Sequence, residues 1–125
     1  MPPSRPSPSG KDATGRIRKL ALSFPDVSEK LSHGEATFFA SGRSFAMMAD
    51  RHHDDRVAVW LAAGDGVQAD LARRAPERYF RPPYVGARGW VGCYLDGRDE
   101  QCDWDEIAEL VADAHDLIAR PRRRP

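Results

Sequence analysis

Cysteine is scarce in this chain: Cys93 and Cys102 are the only two among 125 residues, and they stand nine positions apart. That spacing excludes a CxxC redox pair and a metal knuckle, and a reduced thiol pair in the cytoplasm is the expected state. Long apolar runs are also missing. None approaches the roughly 20 residues a membrane-spanning helix needs, so no membrane partner is expected. The opening MPPSRPSPSG lacks the apolar centre of a signal peptide, so export is not expected either. No G-x-S-x-G elbow, phosphate-binding Walker loop or H-E-x-x-H is present, which leaves covalent and metal-dependent hydrolysis without a sequence basis. No cofactor, metal or enzymatic activity is expected.

Net charge is zero, yet its distribution is uneven. Residues 1–19 carry Arg5, Lys11, Arg16, Arg18 and Lys19 against Asp12, and residues 119–125 carry Arg120, Arg122, Arg123 and Arg124. Each end is therefore +4, and the stretch between holds −8. A domain that grips nucleic acid non-specifically carries its basic excess on the folded part. Here the excess sits on the ends. Residues 1–12 are rich in Pro and Ser and bury too little apolar surface to offset ordering entropy, so a disordered tail is expected there. Residues 120–125 form a basic tail, and one domain spans 13–119.

Within that domain the spacing of apolar residues predicts three helices and about five short strands. Ile17, Leu20, Ala21 and Phe24 make one face of a first helix stopped by Pro25. Residues 36–40 and 44–49 flank Ser41-Gly42-Arg43 as a hairpin. Residues 56–62 alternate, with Val57, Val59 and Leu61 on one face and Ala58, Trp60 and Ala62 on the other. Val67, Leu71 and Ala75 mark a second helix ending near Pro76. Tyr79-Phe80 is a brief strand and 90–95 a firmer one. Asp103 is set as an N-cap with Glu106 three residues on, ahead of a long apolar stripe from Trp104 to Ile118. Strands joined by short turns pair antiparallel, so the fold class is α+β, an antiparallel sheet with helices over one face.

Several local patterns resemble sites and fall short of them. Gly64 to Ala69 fits a dinucleotide fingerprint, but nothing acidic lies between Glu77 and Asp96, and Pro82-Pro83 bars a central parallel strand. It reads as a strand-to-helix turn with Asp65 near the cap. His33-Gly34-Glu35 matches half of a zinc deaminase signature whose cysteine half is absent. His52-His53-Asp54-Asp55 reads as a solvated loop, and the acids crowding the C-terminal third read as a solvated face. The basic patch has two readings. Arg73, Arg74, Arg78, Arg81 and Arg88 are interleaved with Tyr79, Phe80, Tyr84 and Trp90, as a contact to nucleic-acid phosphate and bases would use. Alternatively the aromatics close the core while the arginines snorkel around them.

LALSFPDVSEKLSHGEATFFASGRSFAMM, followed by FRPPYVGARGWVGCYLD, resembles the MmcQ/YjbR family over roughly residues 16–118. The matching positions are Pro25, His33, Gly34, Phe38, Pro83, Tyr84, Gly86, Arg88, Gly89 and Trp90. The resemblance implies a compact fold similar to bacterial frataxin (CyaY-like) and to a double-wing DNA-binding motif. Gly86 and Gly89 are expected to allow a tight turn presenting Arg88, with Trp90 anchoring the returning strand. Two functions follow. One is a non-enzymatic protein contacting DNA through Arg73, Arg74, Arg78, Arg81 and Arg88, with Tyr84 and Trp90 shaping the contact. The other is a small-molecule-binding or accessory protein with a pocket near His33, Tyr84 and Trp90.

Overall fold

Two tight turns, each with both central residues at positive φ, fold the first half of the sheet. His33 and Gly34 have φ of 54° and 80°, and Ser41 and Gly42 have 52° and 83°. These are the turns whose twist matches paired strands, and the glycine in each carries the conformation that a side chain resists. In a computed structural model, which describes residues 10–50, 56–96 and 103–119, they join β1 (Val27–Ser32), β2 (Glu35–Ala40) and β3 (Arg43–Asp50). β1 is a strand that the sequence pattern did not predict. Its side chains are half-buried or exposed along its whole length, so it carries no alternation of apolar and polar residues.

β4 (Val57–Leu61), β5 (Tyr79–Phe80) and β6 (Val91–Tyr94) complete an antiparallel sheet of six strands in the order β1-β2-β3-β4-β6-β5. The class is α+β, with one more strand than the sequence suggested. Three helices accompany it: α1 (Gly10–Ala21), α2 (Val67–Arg74) and α3 (Trp104–Ala119). α1 begins three residues ahead of the expected domain start and ends before Phe24. Ala13, Ile17 and Ala21 form its buried stripe, Ile107, Val111 and Ala114 that of α3, and the two helices are in contact.

Helix ends follow local chemistry. Asp103 Oδ1 accepts from the backbone N–H groups of Asp105 (3.0 Å) and Glu106 (3.2 Å), the expected N-cap of α3. The N-cap of α2 is Gly66, the residue after Asp65, and no side-chain hydrogen bond caps it. His115 on α3 stacks on Phe24 with ring centres 4.3 Å apart and meets the edge of Phe45 at 5.4 Å, fastening α3 to the sheet.

A bulge decides which residues face which way. Phe38 pairs with Ala46 but Phe39 pairs with Ser44, so Phe45 is an extra residue on β3. An extra residue resets the alternation of a strand. Met47 consequently stands opposite Thr37 and Trp60. Leu61 and Val91, opposite each other on β4 and β6, line a groove with Leu110 and Leu117 of α3. Trp60, one position from Leu61, therefore points to the sheet face that α1 and α3 do not cover. Among the described residues, no helix is long and apolar enough to cross a membrane.

Candidate functional site

The uncovered face of the sheet carries a cavity of about 520 Å³ lined by His33, Glu35, Met47, Met48, Trp60, Tyr84 and Val85. That volume is within the range of small-molecule sites. The sheet supplies its base: Met47 and Trp60 are cross-strand partners on β3 and β4. The β1–β2 turn sets His33 at one rim, and Glu35 opens β2 just behind it. The Glu35 carboxylate is held in place because its Oε2 accepts from the backbone N–H of Asp50 at 3.0 Å.

Tyr84 forms the opposite rim under backbone strain. Its φ of 64° and ψ of −71° with a hydrogen bond from Val85 N to Pro83 O (2.6 Å) define the rarer, strained hand of γ-turn. Such a conformation costs about 1–3 kcal/mol and persists where neighbours over-determine it. The constraint comes from both sides. Pro82 and Pro83 fix the approach, and the 3-10 turn Val85–Arg88 beyond is pinned by Gln68 on α2. Gln68 Nε2 donates to the carbonyl oxygens of Gly86 (2.8 Å) and Trp90 (2.5 Å). The Tyr84 side chain itself is 86% exposed, so no burial of the ring offsets the strain.

Trp90 is not among the residues that line the cavity; it is as buried as Trp60, and Arg88 lies over its ring at 5.5 Å. Trp60 lies where the sequence suggested Trp90. The expected turn geometry also divides differently between the two glycines. Positive φ falls on Gly89 (90°) and not on Gly86. Gly86 instead makes room: a Cβ there would stand 2.6 Å from Arg81 Cγ.

The five arginines of the basic patch are not equivalent. Arg73 and Arg74 both bond to Asp70 (2.5 and 3.1 Å), and Arg78 Nη2 lies 3.4 Å from Glu106 Oε1. The hydrogen bond from Arg74, more than the charge of either arginine, holds the Asp70 carboxyl below the usual carboxylate range. Arg81 and Arg88 are exposed and have no acidic partner among the described residues. Glu106, expected to close a capping box, is engaged with Arg78.

A second arrangement occupies the same sheet face. Phe80 stacks on Tyr94 at 4.6 Å, and the Arg56 guanidinium lies over Tyr94 at 3.8 Å. Arg56 also grips the buried Asp96 with two bonds of 2.9 and 2.7 Å. Sequence reasoning missed Glu35, Met47, Trp60 and Gln68 as site residues. The alternation over 56–62 did set Trp60 on the face opposite Val59, which was the available signal.

Among the described residues no group of three metal-capable side chains converges. His52, His53, Asp54, Asp55, Cys102 and most of both expected tails lie outside the described residues, while Cys93 is buried on β6.

Comparison with known proteins adds a family and a fold. A family model described as YjbR matches residues 22–117. The crystal structure of Deinococcus radiodurans protein DR2400, with its DUF419 domain, superposes with a TM-score of 0.73 at 16% identity. That match covers 94% of this chain and 83% of the other. No curated protein matches the sequence.

Proposed function

The chain belongs to the YjbR family, and from that premise we propose that it is a non-enzymatic small-molecule-binding protein whose site is the cavity between His33 and Tyr84. One observation carries the reading. Two exposed turn residues, 51 positions apart in the chain, line a single cavity of about 520 Å³ based on Met47 and Trp60. An apolar base with a few converging polar groups is the usual make-up of a ligand pocket. The strained backbone at Tyr84 adds weight, since strain of this kind gathers where ligands are clamped.

A fragment screen by NMR on the full chain tests it, read at the Trp60 indole N–H and the Met47 methyl. Binders that shift these two signals, and lose affinity with Tyr84→Ala, support the pocket. Binders that shift only other regions, or an absence of binders, overturn it.

A second reading is contact with DNA phosphate, and it rests on Arg81 and Arg88, the exposed patch arginines that no acid among the described residues engages. Arg73, Arg74 and Arg78 favour it less, because each has an acidic neighbour, and buried Trp90 offers no ring for stacking. Fluorescence anisotropy of a labelled duplex across a salt series tests it. Loss of affinity and a shallower salt slope in Arg81→Ala plus Arg88→Ala support the contact. Unchanged binding and slope reject it.

A further inference from the structure

The cavity floor belongs to one row of the sheet. Thr37, Met47, Trp60, Gly92 and Phe80 are register partners in turn across β2, β3, β4, β6 and β5. Directly opposed residues of antiparallel strands share a face, so this row runs straight across the side that α1 and α3 leave uncovered. At its far end the row already carries a ring laid on the sheet. Phe80 takes the place of a Gly92 side chain, with Cε1 2.6 Å from where that Cβ would stand, and stacks on Tyr94 at 4.6 Å. Next along the row come an indole and a thioether, Trp60 and Met47, and both line the cavity. Methionine sulfur makes favourable contacts with rings, and aromatic pairs gain more than their buried area when they stack with an offset or meet edge to face.

Tyr84 stands at the other side of the space. Its ring is exposed, pairs with no other ring among the described residues, and is held there by a strained backbone. An aromatic side chain kept in water at such a cost gains most from a partner that covers its face. From the floor and the rim together we infer that the ligand presents a flat aromatic ring, laid on Met47 and Trp60 and covered by the ring of Tyr84. A saturated ring or alkyl chain of similar size would fill the space through burial alone, which has no direction, and would leave the thioether and the phenol ring without their specific contacts. The Glu35 carboxylate is engaged within the sheet, its Oε2 accepting from Asp50 N–H at 3.0 Å, and its charge is not what selects the ligand. The inference rests on the pocket reading above and specifies its ligand.

The test compares two neutral probes of one size on the full chain, benzyl alcohol and cyclohexylmethanol. They differ in the flatness and π-electrons of the ring. The saturated probe is the more apolar, so burial alone would favour it. NMR titration follows the Trp60 indole N–H and the Met47 methyl. Benzyl alcohol is expected to bind about three-fold more tightly, and to move the Met47 methyl upfield, as a ring lying over it does. Tyr84→Leu keeps an apolar side chain at an exposed position, and it should remove most of that preference while leaving cyclohexylmethanol unchanged. The preference and the upfield shift are read in the parent protein, so they decide the matter even where the variant fails to fold. If cyclohexylmethanol binds as well or better at these signals, or folded Tyr84→Leu keeps the full preference, the aromatic inference is wrong and the pocket stands. If both probes and the fragment screen are silent there, the pocket reading has failed and carries this inference with it. If the screen finds binders there where the probes do not, aromatic binders that lose affinity with Tyr84→Leu uphold the inference, and a set without aromatic rings overturns it alone.

Discussion

The ring of Phe80 on β5 fills the space where a side chain at Gly92 on β6 would begin. A Cβ at Gly92 would fall within 2.6 Å of Phe80 Cε1, and the two residues are cross-strand partners. The glycine lets the ring lie flat over the sheet, where it stacks on Tyr94 at 4.6 Å. Gly92 also faces Trp60, so the ring closes one side of the surface on which the pocket stands.

Gly92→Ala should therefore destabilise the protein by about 1–3 kcal/mol, the usual cost of overpacking a filled site. Phe80→Ala removes the obstacle. In a urea-unfolding cycle the double variant should lose less than the sum of the two single losses. Strict additivity would mean that the ring moves aside freely.

Tyr84 offers a trade between stability and binding. Replacing it by glycine relieves a strained φ worth about 1–3 kcal/mol, less about 0.5–1 kcal/mol for the added freedom of the unfolded chain. Thermal unfolding should thus show Tyr84→Gly no less stable than the parent, although a ring has been deleted. Binding at the Trp60 side should weaken in the same variant. A marked loss of stability would show that the ring, and not the pocket, is what the turn supports.

Asp96 and Arg56 form a pair that is costly to halve. The Asp96 side chain is 5% exposed and that of Arg56 22%, and their two bonds tie the chain before β4 to the end of β6. Asp96→Asn removes the Asp96 charge from the guanidinium over Tyr94, at a cost of about 3 kcal/mol in denaturant unfolding. A change below about 0.5 kcal/mol would mean that solvent already screens the pair.

The acid limb of stability should carry a small contribution from Glu29. The hydrogen bond from Arg18, with the Arg18 charge as a lesser cause, holds its carboxyl below the usual range. A lowered folded value means stability that is present above the unfolded value, about 4.3, and lost as pH falls through the folded one. Both side chains are partly solvated, so the amount is below about 1 kcal/mol. Arg18→Ala should flatten the pH dependence of the unfolding midpoint below about pH 4.3 and leave it unchanged near neutrality.

The sequence by itself determined the class and most of the elements. Apolar spacing of 3.6 residues marks α1 and α3, because burial there repeats with the turn of the helix, and dense apolar runs mark β2, β3, β4 and β6. Ser41-Gly42 announces its hairpin through the φ it permits, and Asp103 announces a helix start through its carboxylate. β1 escaped for the opposite reason. An edge strand with no well-buried face leaves no periodic trace, and His33-Gly34 is a less familiar turn pair than Asn-Gly.

Of the site, the sequence supplied His33 and Tyr84 as suspects but not what lies between them. That was decided by the bulge at Phe45, which turns Met47 to the face of Trp60, and by Gln68, which pins the turn beyond Tyr84 from a different helix. Whether Arg73, Arg74 and Arg78 are exposed charge or bound charge was likewise settled by acids within reach in space. The two acids, Asp70 and Glu106, are near and far in the chain respectively, and distance through space sets an electrostatic interaction where order along the chain does not.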